Sequence, residues 1–189
     1  TEDIDIFGNR RTFFTLATPH RALVVKAAST VQVKNRYSHF NPKETPPWEL
    51  VRESLAYALE RPYLAANEFI FPSPYVPRLR ELQDYALESF QSDRPIAEAS
   101  IELSTRINRD FDYAPVATEV YTPMLEAFKN RAGVCQDFSH IYIGCLRSIG
   151  LAARYVSGYL LTRPAPGQEK LRGADASHAW VSVYCPGAP

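Results

Sequence analysis

Two short segments of this chain bring together residue types that can do nucleophilic chemistry. Arg131-Ala-Gly-Val-Cys-Gln-Asp-Phe-Ser-His140 places Cys135 where a helix begins, and Asp175-Ala-Ser-His-Ala-Trp180 places His178 where a strand begins. A thiol attacks a carbonyl poorly until it is a thiolate. Helix N-terminal N–H groups and a nearby imidazolium are two ways to stabilise that anion. Gly133, two residues before the cysteine, lets the backbone turn tightly and approach a substrate. The chemistry this suggests is acyl transfer. Cys135 attacks an amide or ester carbonyl, His178 takes the thiol proton and returns it to the leaving group, and a thioester forms. The oxyanion would lie against the Cys135 backbone N–H and one further donor, for which Gln136 is the candidate.

Each residue also has a plainer role. Cys135 is equally the first apolar residue of a buried helical stripe, because free cysteines are among the most buried residue types. His178 can be a strand histidine satisfied by the backbone; Trp180, two positions on, projects from the same sheet face. Asp175 and Ser177 are too close along the chain to orient the His178 ring. His140 lies five residues after Cys135, roughly 140° round the helix, so it points away from the thiol and reads as a surface or supporting residue. Asp137 reads as a first-turn acid favoured by the helix dipole. Trp180, with Tyr155 and Tyr159, is a candidate lining for an acyl-binding cleft. Cys145 and Cys185 lack a comparable setting and read as structural, and His20 and His39 fall in loops. A metal held by Cys135 and His178 would have only two ligands, and the chain has no C-x-x-C or H-x-x-x-H pair. Neither a metal nor a cofactor is expected.

The elements that must position these residues follow from periodicity. Thr12–Leu16 and Leu23–Val33 read as extended runs, the second with alternating apolar residues as in a half-buried strand. Residues 35–47 form a loop. Trp48, Val51, Leu55 and Leu59 recur at helical spacing after Pro46-Pro47, and residues 62–77 are proline-rich and irregular. Leu79, Leu82, Tyr85, Ala86 and Phe90 mark a second helix, and Ile96, Ile101, Leu103, Ile107 and Phe111 a third. Residues 113–122 form a loop, and one or two helical turns span Met124–Lys129. Cys135, Phe138, Tyr142, Cys145, Leu146 and Ile149 give a clean apolar stripe that Gly150 ends. Ala153–Leu161 and Ser177–Tyr184 read as strands with a loop over 163–175 between them.

The chain has 189 residues with 21 basic and 21 acidic side chains, so its net charge is zero. That balance calls for neither nucleic acid nor an anionic membrane as partner. No apolar run approaches the roughly 20 residues of a membrane span. Three cysteines are an odd, sparse set that argues against a disulfide framework and fits a reducing, cytoplasmic setting.

Gly133-Val-Cys-Gln-Asp-Phe138, Cys145-Leu-Arg-Ser-Ile-Gly150, Ala153-Arg-Tyr-Val-Ser-Gly-Tyr159 and His178-Ala-Trp180, in that order, resemble the bacterial transglutaminase-like family, often assigned as cysteine proteases. Asp5-Ile-Phe-Gly-Asn9 and Ala28-Ser-Thr-Val-Gln-Val33 resemble the β-rich region that precedes its catalytic core. The resemblance implies an α+β fold: a papain-like core with helices packed on an antiparallel sheet and the nucleophile at a helix N-terminus. Before it would stand part of a β-sandwich-like N-terminal domain. Residues 1–72 are expected to form this N-terminal region, with one helix, and 73–189 the catalytic core. The resemblance also implies Cys135 as nucleophile, His178 as general base and a peptide or protein substrate. Its third catalytic member is an aspartate on the strand after the histidine, in a motif starting beyond a Cys-Pro-Gly like Cys185-Pro-Gly187. By this reading the chain is a piece of a longer protein, with further strands before Thr1 and the aspartate after Pro189. An amine in place of water as acyl acceptor, or a catalytically silent binding module on the same fold, are the alternatives.

Overall fold

The computed structural model describes residues 1–28, 30–35, 37–114, 121–160 and 177–188. The chain divides into two compact units, Thr1–Asn35 and Arg36–Pro189.

In the first unit, β1 (Glu2–Ile4) and β2 (Arg10–Thr12) pair as an antiparallel hairpin with Glu2 opposite Thr12. The Asp5 carboxylate closes its turn by accepting the N–H groups of Phe7 and Asn9 at 2.9 and 2.8 Å, a short-range role for which aspartate is suited. The expected long strand over Leu23–Val33 does not form. Its described residues belong to no strand and Val33 is 90% exposed. Alternation marks one face of a strand, but a strand exists only when a neighbour completes its ladder, and hairpins alone are marginal. Among the described residues of this unit, pairing stops at the hairpin, so a sandwich arrangement is not seen.

The second unit holds the core. Prolines set the starts of α1 (Trp48–Leu55) and α3 (Ile96–Asp110) side by side. The Trp48 N–H donates to Arg94 O at 3.0 Å and the Ile96 N–H to Pro46 O at 2.9 Å. Proline tolerates these positions because the first helical N–H groups have no intrahelical partner. α1 buries Trp48, Val51 and Leu55 but stops there, leaving Leu59 exposed. The reason is tertiary: Asn67 Nδ2 donates to the Leu55 carbonyl at 2.8 Å and caps the helix end. Residues Ala65–Ile70 form a 3-10 helix inside the segment expected to be irregular.

α2 (Arg80–Leu87) buries Leu82, Tyr85 and Ala86. α3 buries Ile96, Ala99, Leu103 and Ile107, whereas Ile101 lies off that stripe and is exposed. β3 (Asp112–Tyr113), α4 (Met124–Asn130) and β4 (Ala132–Gly133) lead into the central helix α5 (Cys135–Ser148). Ile141, Ile143, Cys145 and Leu146 of α5 are almost completely buried. Gly150, at φ +82°, provides the left-handed residue on which the helix terminates. β5 (Ala153–Tyr159) and β6 (Ser177–Val183) form an antiparallel pair in continuous register from Ala153↔Val183 to Tyr159↔Ser177. α5 packs on both strands and also on α2 and α4. The unit is thus α+β, with helices laid on an antiparallel pair. The expected loop over 163–175, Asp175 included, lies outside the described residues, as do 115–120 of the expected loop at 113–122. Among the described residues no helix is long and apolar enough to cross a membrane.

Candidate active site

The chain is fixed on its way into α5. Arg131 ends α4 in the left-handed region at φ 52°, and its guanidinium sits 4.5, 4.7 and 5.0 Å from the ring centroids of Phe128, Phe111 and Tyr85. The Asp112 N–H donates to Arg131 O at 2.8 Å and the Ala114 N–H to Gly133 O at 2.9 Å, so the short parallel β3–β4 pair holds the segment before the cysteine. Val134 is then the N-cap and Cys135 the first helical residue.

Asp137 completes this turn. Its carboxylate, buried at 3% exposure, accepts the Val134 N–H at 2.9 Å, which satisfies a backbone donor that the helix cannot. Ser139 Oγ donates to Cys135 O at 2.7 Å. Gly133 is required by close approach: a Cβ there would stand 2.7 Å from Asp137 Oδ2 and 2.9 Å from Asp137 Cβ. Gly133→Ala is therefore expected to displace the carboxylate, break the bond to Val134 and cost about 2 kcal/mol. Urea denaturation measures this. A loss below about 0.5 kcal/mol would mean that Asp137 moves aside freely.

Opposite the start of α5 stands β6. His178 lies on this strand and pairs in register with Gly158. Its ring centroid lies 6.2 Å from that of Trp180, as expected for residues two apart on one strand face. Cys135 opens onto a cleft of about 350 Å3 whose walls are Ser104 and Ile107 of α3, Phe138 and Tyr142 of α5, and Trp180 of β6. Trp180 thus lines the space before the thiol. Gln136 is half-buried on the same turn of α5 but is not among the cleft's lining residues. Tyr155 is half-buried, whereas Tyr159 is 73% exposed. Burial, with the acidic groups of Cys135 and Asp137 adding to it, raises the Tyr155 phenol above its ordinary value.

His140 is half-buried, which fits the supporting alternative rather than the surface one. Its ring stacks on Tyr75 at 6.0 Å and tilts against Tyr155 at 5.3 Å, and burial holds its pKa below the ordinary imidazole value. The other thiols differ in setting. Burial pushes Cys145 up to about 12 and raises Cys185 as well. Among the described residues no group of three His, Cys, Asp or Glu side chains is placed to hold a metal ion.

Residues 83–188, more than half of the chain, match the family of the transglutaminase-like superfamily core. The chain belongs to the transglutaminase-like superfamily. Uncharacterized proteins of Mycobacterium bovis and Mycobacterium tuberculosis are 37% identical to it over 187 residues, which are 98% of this chain and 58% of theirs. An uncharacterized protein of Mycobacterium leprae is 30% identical over 185 residues, 97% of this chain and 62% of its own. The chain therefore spans about three fifths of these relatives. A crystal structure of a "putative cysteine protease" from Cytophaga hutchinsonii aligns with a TM-score of 0.56 at 24% identity, covering 70% of this chain and 42% of that one, and shares its fold.

Within this transglutaminase-like core, Ser104 in the cleft wall was missed, because a serine on an amphipathic helix is ordinarily solvated and carries no local signal. Asp137, read as a first-turn acid, also accepts the N-cap N–H, and its place three residues after the N-cap is the signal for that.

Proposed function

We propose that the protein is a cysteine acyl-transfer enzyme, a protease or amidase, that works through Cys135, His178 and a thioester. The observation that carries this reading is Cys135 at the start of α5, opening onto a cleft that Trp180 of β6 lines, with His178 two residues before it on that strand. The thiol sits where helix N–H groups favour an anion, and a cleft opens in front of the sulfur. His178 would draw the proton from Sγ as the thiolate attacks, then return it to the leaving amine as the thioester forms. Water, activated by the same imidazole, would release the acid. The oxyanion would be met by the Cys135 N–H and by one side-chain donor. Gln136 is one candidate, and the neutral Tyr155 phenol is the other. An orienting carboxylate for His178 is assigned, by resemblance, to the whole protein beyond Cys185–Gly187. The peptide or protein substrate is assigned on the same ground. An amine acceptor at this site would make the enzyme a transamidase.

The test is the pH dependence of iodoacetamide labelling, followed peptide by peptide in the chain and in His178→Ala. Cys135 is expected to label readily at neutral pH, and more slowly without the imidazole. Cys145 and Cys185 are internal controls, since thiols raised by burial label slowly at neutral pH. Ordinary behaviour of Cys135 in both forms, repeated in the full-length protein, would leave only a binding module on this fold.

A further inference from the structure

At the far end of α5 from Cys135, roughly 20 Å along the helix, a second cleft of about 400 Å3 opens entirely within the Arg36–Pro189 unit. Arg52, Arg78 and Arg147 line it together with Gln83, Ser148 and the edge of Trp48, and no acidic residue contributes to its walls. Among the described residues none of the three arginines forms an ion pair with a carboxylate. Arginines at a helix C-terminus are ordinarily explained by the carbonyls they cap. Arg147 fits that account, because Nε and Nη2 donate to Phe69 O and Ala153 O at 2.9 Å. Arg78 gives one nitrogen to Ile70 O, the end of the 3-10 helix, at 2.9 Å, and Arg52, in the last turn of α1, lies over the Trp48 ring at 4.8 Å; both are exposed, so part of each guanidinium fork faces the solvent. Three like charges around one cleft repel one another, and an anion in the cleft relieves that repulsion.

We infer that this cleft binds a phosphate-class anion, held by the guanidinium groups of Arg52 and Arg78. A tetrahedral dianion presents oxygens in several directions and so uses two separate forks, whereas a single carboxylate is satisfied by one fork. The cleft also has room beyond the anion for the group that carries it. This inference does not depend on the chemistry at Cys135.

Isothermal titration of the chain with inorganic phosphate and then pyrophosphate, at physiological ionic strength, tests it. Saturable one-to-one binding is expected, weakened at least about tenfold in Arg52→Ala and in Arg78→Ala. Arg80→Ala is the control for simple charge. Arg80 is highly exposed, pairs with Asp84 at 3.9 Å and does not line the cleft. It should bind as the parent does. Circular dichroism confirms that each variant is folded, and Arg78→Lys, which keeps the charge but loses the fork, should fall between parent and alanine. Absence of saturation in the parent overturns the proposal, as does an equal loss in all three alanine variants. Citrate binding as tightly as pyrophosphate would overturn the phosphate assignment.

Discussion

Cys135→Ala is expected to lower ester or amide turnover by the full-length protein by at least about 10⁴-fold, because every step of the proposed cycle passes through its sulfur. A chromogenic acyl ester serves as the probe, since an activated leaving group demands least of an unidentified acyl site. His178→Ala should lose a comparable factor, and the double variant should lose little more. Residues that act as one unit are not additive. Sequential losses that multiply would mean that the cysteine and the histidine serve separate functions. Turnover undiminished in Cys135→Ala would exclude the thioester route. Adding a primary amine separates the acceptors: an amide product at the expense of the acid identifies a transamidase. A parent protein with no turnover toward any acyl donor, but with a normally reactive thiol, would favour the binding module.

The helices of the core were legible because each must hide one face, and a 3.6-residue period survives in the sequence whatever the partner. The α5 stripe caught Tyr142, Cys145, Leu146 and Ile149 but left out the fully buried Ile141 and Ile143, because this central helix is packed on more than one side, and its stop at Gly150 matched the positive φ found there. What could not be read depended on residues distant in sequence. Leu59 continues the α1 pattern, yet the helix ends at Leu55 because Asn67 takes its carbonyl. The residues of 23–33 alternate as a strand does, yet no ladder forms over their described part, since pairing is a property of two segments rather than one. Helical geometry gives His140 its side of α5, but its packing between Tyr75 and Tyr155 joins segments that no local pattern connects. The candidate nucleophile and base were visible as residue types. Bringing their two elements together rests on β5 and β6 closing against α5.

The same limit hid Arg106, whose replacement should produce the largest loss of stability proposed here. It occupies an inward position of α3, beside Leu103 and Ile107, and is only 6% exposed. Its Nη1 donates to Tyr85 O at 2.8 Å and to Ser89 Oγ at 3.0 Å, and its guanidinium lies 4.2 Å from the Tyr85 ring centroid. The arginine thus satisfies a carbonyl near the C-terminus of α2 that lacks an intrahelical partner, together with a fully buried hydroxyl. Nη2 reaches Glu88 at 2.6 Å, but that carboxylate is 67% exposed and screened by solvent. Two terms therefore compete. The ion pair with an exposed partner contributes about 0.5 kcal/mol. Leaving the carbonyl and hydroxyl unpaired costs about 1–3 kcal/mol, and the emptied volume adds to it. Arg106→Ala is expected to destabilise the protein by about 3–4 kcal/mol, and Glu88→Ala by less than about 1 kcal/mol. Set against a total stability of about 5–15 kcal/mol, the first is a severe loss. Urea midpoints of the two variants decide between the terms. Equal losses would make the ion pair the dominant interaction. A large loss confined to Arg106→Ala would show that this buried cation acts chiefly as a cap for α2 and a filler of the core.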